Sequence, residues 1–146
     1  MKVKNLLDQK DRDVITIIPE ASLKESMKIL IENRISCLPV VSNDMELIGI
    51  ISDKDIFTSI YANVESMEND IVSSHMTQDI IVGIPDDDID YIAGLMTNNK
   101  IRHIPIIDNK RIVGLISVGD IVKSQLVNKE SENRYLKSYI SGEYPG

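Results

Sequence analysis

The chain has 146 residues, with 16 Lys and Arg against 23 Asp and Glu, a net charge of −7, 42% apolar residues and 4% aromatics without Trp. This is the composition of a folded domain rather than a disordered chain, with a core that has to be built from Ile, Val, Leu and Met. The acidic balance, with no basic run, excludes nucleic acid or an anionic membrane surface held through phosphate contacts.

Residues 1–8 hold no apolar stretch long enough for a signal peptide, and no run approaches the ~20 apolar residues that span a bilayer. The single cysteine, Cys37, permits no internal disulfide and suits a reducing compartment. A cytoplasmic protein is expected. Val14-Ile15-Thr16-Ile17-Ile18 reads as a β-branched strand stopped by Pro19. Ser22-Leu23-Lys24-Glu25 is a capping box, followed by Leu23, Met27, Leu30 and Ile31 at helical spacing. Residues 37–41 and 47–51 flank a polar turn as a hairpin, and a helix over 53–61 closes the unit. An acidic, polar linker at 62–70 and a short helical lead-in at 72–77 come next.

The same order then returns. Residues 80–84 form a strand before Pro85, and Ile89, Ile92, Ala93 and Met96 mark one face of a helix. A hairpin over 104–107 and 112–116 leads into a helix over 118–126. Tyr135/Tyr139 and Leu136/Ile140, each pair at i,i+4, predict a narrow amphipathic helix over 128–140, suited to a partner subunit.

The repeat is in register. Gly49-Ile50-Ile51-Ser52-Asp53-Lys54-Asp55-Ile56 comes back as Gly114-Leu115-Ile116-Ser117-Val118-Gly119-Asp120-Ile121. Pro19 and Pro39 recur 66 residues later as Pro85 and Pro105, whereas Gly49, Ser52 and Asp55 recur after 65. The missing residue falls in the hairpin turn, where a loop absorbs it. One copy of roughly 45 residues buries too little surface to stand alone. The expected architecture is therefore α+β, with two β-α-β-β-α units packed through their sheets. Its parts are 1–61, a linker at 62–70, 71–125, and a C-terminal helix and tail at 126–146.

Two Gly-apolar-apolar-Ser-x-x-Asp-Ile signatures, with Ile18-Pro19, Ile84-Pro85 and the pre-hairpin runs at 35–40 and 101–106, resemble a tandem pair of CBS domains, or Bateman module. The resemblance covers residues 14–123 and is similar to a bacterial and organellar subgroup of stand-alone pairs. It implies a pseudo-twofold axis, two clefts between the copies, and a disc-like homodimer. It also implies a regulatory adenosyl ligand such as AMP, ADP, ATP, NAD(H) or S-adenosylmethionine, and often a regulated partner.

The candidate site follows from that resemblance. Asp55 and Asp120 would accept hydrogen bonds from the two hydroxyls of a ribose, with Ser52, Ser117 and Gly119 at the helix start meeting ribose or phosphate. Ser-x-x-Asp is equally a plain helix cap, and both readings stand at this point. Arg102 and His103, framed by Ile101 and Ile104, would reach the phosphates. Their counterparts Ser36 and Cys37 carry no charge, so unequal clefts are expected. Val14, Ile15, Ile80, Ile81, Pro39 and Pro105 would sandwich an adenine whose edge is read beside Thr16 or Val82. The turn at 10–13 would add a cation near the first copy's cleft or stand in solvent.

Asp86, Asp87, Asp88 and Asp90 are a helix start before they are a metal site. Two histidines and one cysteine make no zinc site, and no Gly-rich phosphate loop or base-nucleophile pair is present. The sequence reads as a regulatory adenine-nucleotide-binding module, with AMP first and NAD(H) or ATP next, without catalytic cofactor or metal. The alternative is a dimeric interaction scaffold whose clefts carry no ligand.

Overall fold

The computed structural model describes residues 1–126; the helix expected over 128–140 and most of the 126–146 tail lie outside them. The chain runs α1 (Val3–Lys10), α2 (Leu23–Asn33), β1 (Cys37–Val41), β2 (Leu47–Ser52), α3 (Asp53–Ala62), α4 (Ser66–Asn69), α5 (Ile89–Asn99), β3 (His103–Asp108), β4 (Arg111–Ser117) and α6 (Val118–Gln125). The fold is α+β, with two antiparallel two-stranded sheets, β1–β2 and β3–β4. Both hairpins shift register at equivalent places, between Val40 and Val41 and between Ile106 and Ile107. Their tips join across the copies: the Leu47 N–H donates to Lys110 C=O at 3.1 Å, and the Ile112 N–H to Met45 C=O at 3.0 Å.

The lead strand of each copy is shorter than its β-branched run suggests. It makes a single parallel bridge, Ile17 to Val40 and Gly83 to Ile106. Four prolines explain this. In the first copy the Ile17 N–H donates to Pro39 C=O and the Val41 N–H to Ile17 C=O. Extending that parallel ladder would need the N–H of residue 39 on one side and of residue 19 on the other, and both are proline. Pro105 and Pro85 limit Gly83 in the same way. The backbone of residues 14–16 consequently bonds to no other group among the described residues.

The cores are exchanged between the copies. Helix α1, which the sequence reading did not anticipate, buries Val3 and Leu6 with Ile89, Ile92, Met96, Ile104, Ile106, Ile116 and Ile121 of the second copy. The segment before the second copy reciprocates, placing Val72 among Ile17, Leu23, Leu30, Leu38, Val40, Ile51 and Ile56 of the first. Matching backbone bonds fix the two docks: the Val3 N–H donates to Asp87 C=O at 2.9 Å, and the Val72 N–H to Ala21 C=O at 2.8 Å. Glycine makes the close approach possible. A Cβ on Gly114 would lie 2.5 Å from Leu7 Cδ2, and one on Gly49 would lie 2.5 Å from Met76 Sδ. The stretch expected as a plain linker holds α4 and a buried Ser66.

Because Leu6 is 4% exposed, Leu6→Ala is expected to remove about 3 kcal/mol of stability by chemical denaturation. A loss under about 1 kcal/mol would mean that α1 is not part of the second core.

Candidate functional site

Each copy starts its last helix on a complete capping box. Ser52 Oγ accepts the Asp55 N–H at 3.2 Å while Asp55 Oδ2 accepts the Ser52 N–H at 2.9 Å. Ser117 and Asp120 repeat this at 3.0 and 2.9 Å. The geometry therefore gives both aspartates the cap role, and it leaves the other carboxylate oxygen, Oδ1, without a partner among the described residues. Cap and diol contact do not compete, because they use different oxygens.

The two helix starts differ in what remains open. At α3 the Asp53 N–H goes to Ser36 C=O, and the Lys54 N–H folds back onto Asp53 Oδ1 at 2.7 Å. At α6 the Val118 N–H goes to Arg102 C=O, while the Gly119 N–H has no partner among the described residues. The Asp53 carboxylate closes one helix end, whereas its counterpart Val118 has no acceptor to close the other.

A cleft of about 490 Å³ lies at the second of these helix starts, within the range of small-molecule sites. It is a hybrid of the copies. Val14 and Ile15 from the first lead segment, with Ile35, Ser36 and Cys37, face Gly114, Leu115, Ser117 and Asp120 of the second. The proline-limited ladder thus leaves its unpaired backbone at the cleft wall. Ser36 Oγ and His103 Nε2 approach to 3.4 Å across the two copies.

Asp120 was expected here; the cations come from the turn at 10–13, read as a cation source or a solvated turn, and from Arg34, which was not singled out. Lys10, Arg12 and Arg34 line the cleft with Asp13 and Asp120. Lys10 Nζ donates to Leu115 C=O at 2.6 Å and to Asp120 Oδ2 at 2.8 Å, with both side chains about three-quarters buried. Burial by itself would raise the Asp120 pKa, but the hydrogen bonds from Lys10 and Ser117 outweigh it and hold the carboxyl below its ordinary value. Burial lowers the His103 pKa, with Asp120 and Asp53 opposing. The Cys37 thiol is pushed up to about 12, by burial first and then by Asp53 and Asp55, so it stays a protonated, unreactive wall residue.

Of the residues singled out from sequence, Val14, Ile15, His103, Ser117 and Asp120 come together here. Pro39, Ile104 and Pro105 are fully buried and outside the cleft lining, and the prolines limit the lead-segment ladder. Arg102 is exposed and lies outside the cleft lining, and Thr16, Ile80, Ile81, Val82, Ile101 and Gly119 are outside it too. Ser52 and Asp55 stand at the pseudo-equivalent position, where Thr77 pairs with Ile50 through the Thr77 N–H to Ile50 C=O at 2.8 Å and its reciprocal at 2.9 Å. Ile50 C=O is the counterpart of Leu115 C=O, which takes Lys10. The two helix starts thus differ in this strand pairing and in Lys10, whereas Arg34 has a cationic counterpart in Lys100 at the same left-handed C-cap position. Three of the four acids at 86–90 are used locally: Asp86 pairs with Lys4, Asp87 accepts the Ile84 N–H, and Asp88 caps α5 by accepting the Asp90 N–H.

The CBS domain family model matches residues 3–62 and 70–126. The chain is a tandem pair of CBS domains. The mitochondrial CBS domain-containing protein CBSX3 of Arabidopsis thaliana is 31% identical over 82% of this chain and 60% of its own length. The pair spans 40% of an uncharacterized Methanocaldococcus jannaschii protein, MJ1225, at 26% identity. It spans only 22% of the homoserine O-acetyltransferase of Methanosalsum zhilinae, so that likeness does not extend over the enzyme as a whole. Among solved structures, the CBS-domain protein ATU1752 of Agrobacterium tumefaciens superposes with a TM-score of 0.79 at 31% identity, covering 86% of this chain and 99% of that one. The CBS pair of protein MJ0100, solved with 5′-methylthioadenosine and S-adenosyl-L-methionine, gives 0.76 at 29% identity, again covering 86% and 99%. No helix among the described residues is long and apolar enough to cross a membrane.

The depressed pKa of His103 has a sign that denaturation can read. The unfolded chain takes up a proton near pH 6.5 that the folded CBS pair resists, so stability is full above that pH and declines as pH falls below it. Denaturant midpoints at pH 7.5 and 5.5 are expected to differ more for the wild type than for His103→Asn; an unchanged gap would remove His103 as the cause.

Proposed function

We propose that this CBS pair is a regulatory module that takes an adenine nucleotide into the hybrid cleft and transmits its occupancy to a homodimeric assembly or a partner protein. AMP is the first candidate, and ADP, ATP and NAD(H) are the longer members of the class. The observation that carries this reading is one carboxylate, Asp120, whose Oδ2 is fixed by the cap and Lys10 while Oδ1 remains for a ribose hydroxyl. The unpaired backbone of residues 14–16 suits the edge of an adenine, and Lys10, Arg12 and Arg34 suit phosphate. The adenosyl ligands of the MJ0100 pair support the same class.

A bound ligand would tie the first copy's lead segment to the second copy's α6. That can shift an equilibrium only by binding one arrangement of the copies better than another. The dimer is supported by apolar side chains left exposed at matching places: Phe57 and Tyr61 on α3, and Val118, Val122 and Leu126 along α6 and its end. Lys10 also satisfies Asp120 without any ligand, and this favours a second reading, a scaffold whose clefts have no regulatory use.

Thermal shift separates the two readings. A ligand at 100 times its Kd adds about 2.7 kcal/mol of stability; silence with AMP, ADP, ATP, NADH and S-adenosylmethionine would leave only the scaffold. Calorimetry locates the contact. Asp120→Asn keeps an acceptor for the cap and is expected to weaken AMP about 10- to 100-fold, the worth of one charge-assisted hydrogen bond. Asp55→Asn is expected to change AMP affinity by less than about threefold, with one ligand bound per chain. Equal losses would overturn the choice of cleft.

A further inference from the structure

A second chamber of about 280 Å³ adjoins the cleft and shares Lys10, Arg12 and Asp120 with it, adding Lys123 and Ser124 from α6. We propose that this chamber is a subsite for the anionic tail of nucleotides longer than a monophosphate, with Lys123 as its distal cation. The proposal rests on the adenine-nucleotide reading above and adds to it the place and the cation that would hold the tail of its longer members.

Charge is the first argument. Acids outnumber bases 23 to 16 over the whole chain, yet the two adjoining spaces are lined by Lys10, Arg12, Arg34 and Lys123 against Asp13 and Asp120. One of those acids is already neutralised by Lys10. Arg12, Arg34 and Lys123 form no ion pair among the described residues, so within those residues their charge is not consumed. A local excess of unpaired cations on an acidic protein is what a polyanion requires.

Position is the second argument. The Lys10–Asp120 pair is the wall common to both spaces. A ribose held on Asp120 would stand at the threshold, with its adenine toward Val14 and Ile15 and its 5′ substituent toward the basic side. One phosphate is satisfied at that threshold by Lys10 and Arg12. A second and third phosphate need further room and further charge, and the adjoining chamber supplies both. Ser124 contributes no donor, since its hydroxyl is already committed to Ile121 C=O at 2.7 Å. This leaves Lys123 as the cation that only this chamber holds.

The test is calorimetry with adenosine monophosphate and triphosphate, magnesium-free and at constant ionic strength. The proteins are the wild type, Lys123→Met, and Lys28→Met, which makes the same charge change at an exposed α2 position lining neither chamber. The wild type is expected to bind the triphosphate more tightly than the monophosphate. Lys123→Met is expected to weaken the triphosphate about tenfold and the monophosphate less than about twofold, with Lys28→Met changing neither by more than about twofold. Equal losses for both nucleotides, or a Lys28→Met loss as large as that of Lys123→Met, would overturn the subsite. If monophosphate and triphosphate bind the wild type alike, the subsite falls while the nucleotide reading stands. If no adenosyl compound binds the wild type, both fall together.

Discussion

The structure depends on an exchange of hydrophobic segments. Each core takes in residues from the other copy's lead segment as well as from its own hairpin and two helices. The segment preceding each copy covers the other: Val3 and Leu6 enter the second core, and Val72 enters the first. Gly114 and Gly49 lie beneath Leu7 and Met76, where any larger residue would push the segment away. The two copies are thus held by one shared construction rather than by adhesion between finished units, and the cleft between them inherits its geometry.

The cleft is made by what the backbone cannot do. Pro19 and Pro39 bound a parallel ladder to one bridge, which leaves residues 14–16 extended but unpaired. The helix opposite is pinned by its capping box, so Asp120 is fixed at the cleft by a role that costs it only one oxygen. Lys10 then arrives from the end of α1. The same helix that completes the second core also delivers the cation that fixes the carboxylate. Stability and recognition are therefore joined at α1.

The copies are alike in fold and unlike in chemistry. At the first copy's cap Asp53 closes its own helix end and Thr77 occupies the strand edge; at the second, Val118 offers no acceptor in the place of Asp53, and Lys10 takes the Leu115 C=O that matches the carbonyl bonded by Thr77.

Much of the fold is legible in the residues. The β-branched runs, the Ser-x-x-Asp boxes and the offsets of 66 and 65 gave the helices, the hairpins and the repeat, because caps, turns and periodicity are local properties. Helix α1 was not legible: Val3, Leu6 and Leu7 form a stripe too short to read as a helix until the second core is there to receive it. The site was read in part. Asp120 and Ser117 carried a motif, whereas Arg12 and Arg34 carry none, and the effect of Pro39 on the lead-segment hydrogen bonding shows only in the fold. The sequence by itself determined which oxygens and which helix starts were available. Only the tertiary structure decided which were used, because Lys10 and Asp120 lie 110 residues apart, and the direction in which the copies exchange their leading segments is what brings them to 2.8 Å.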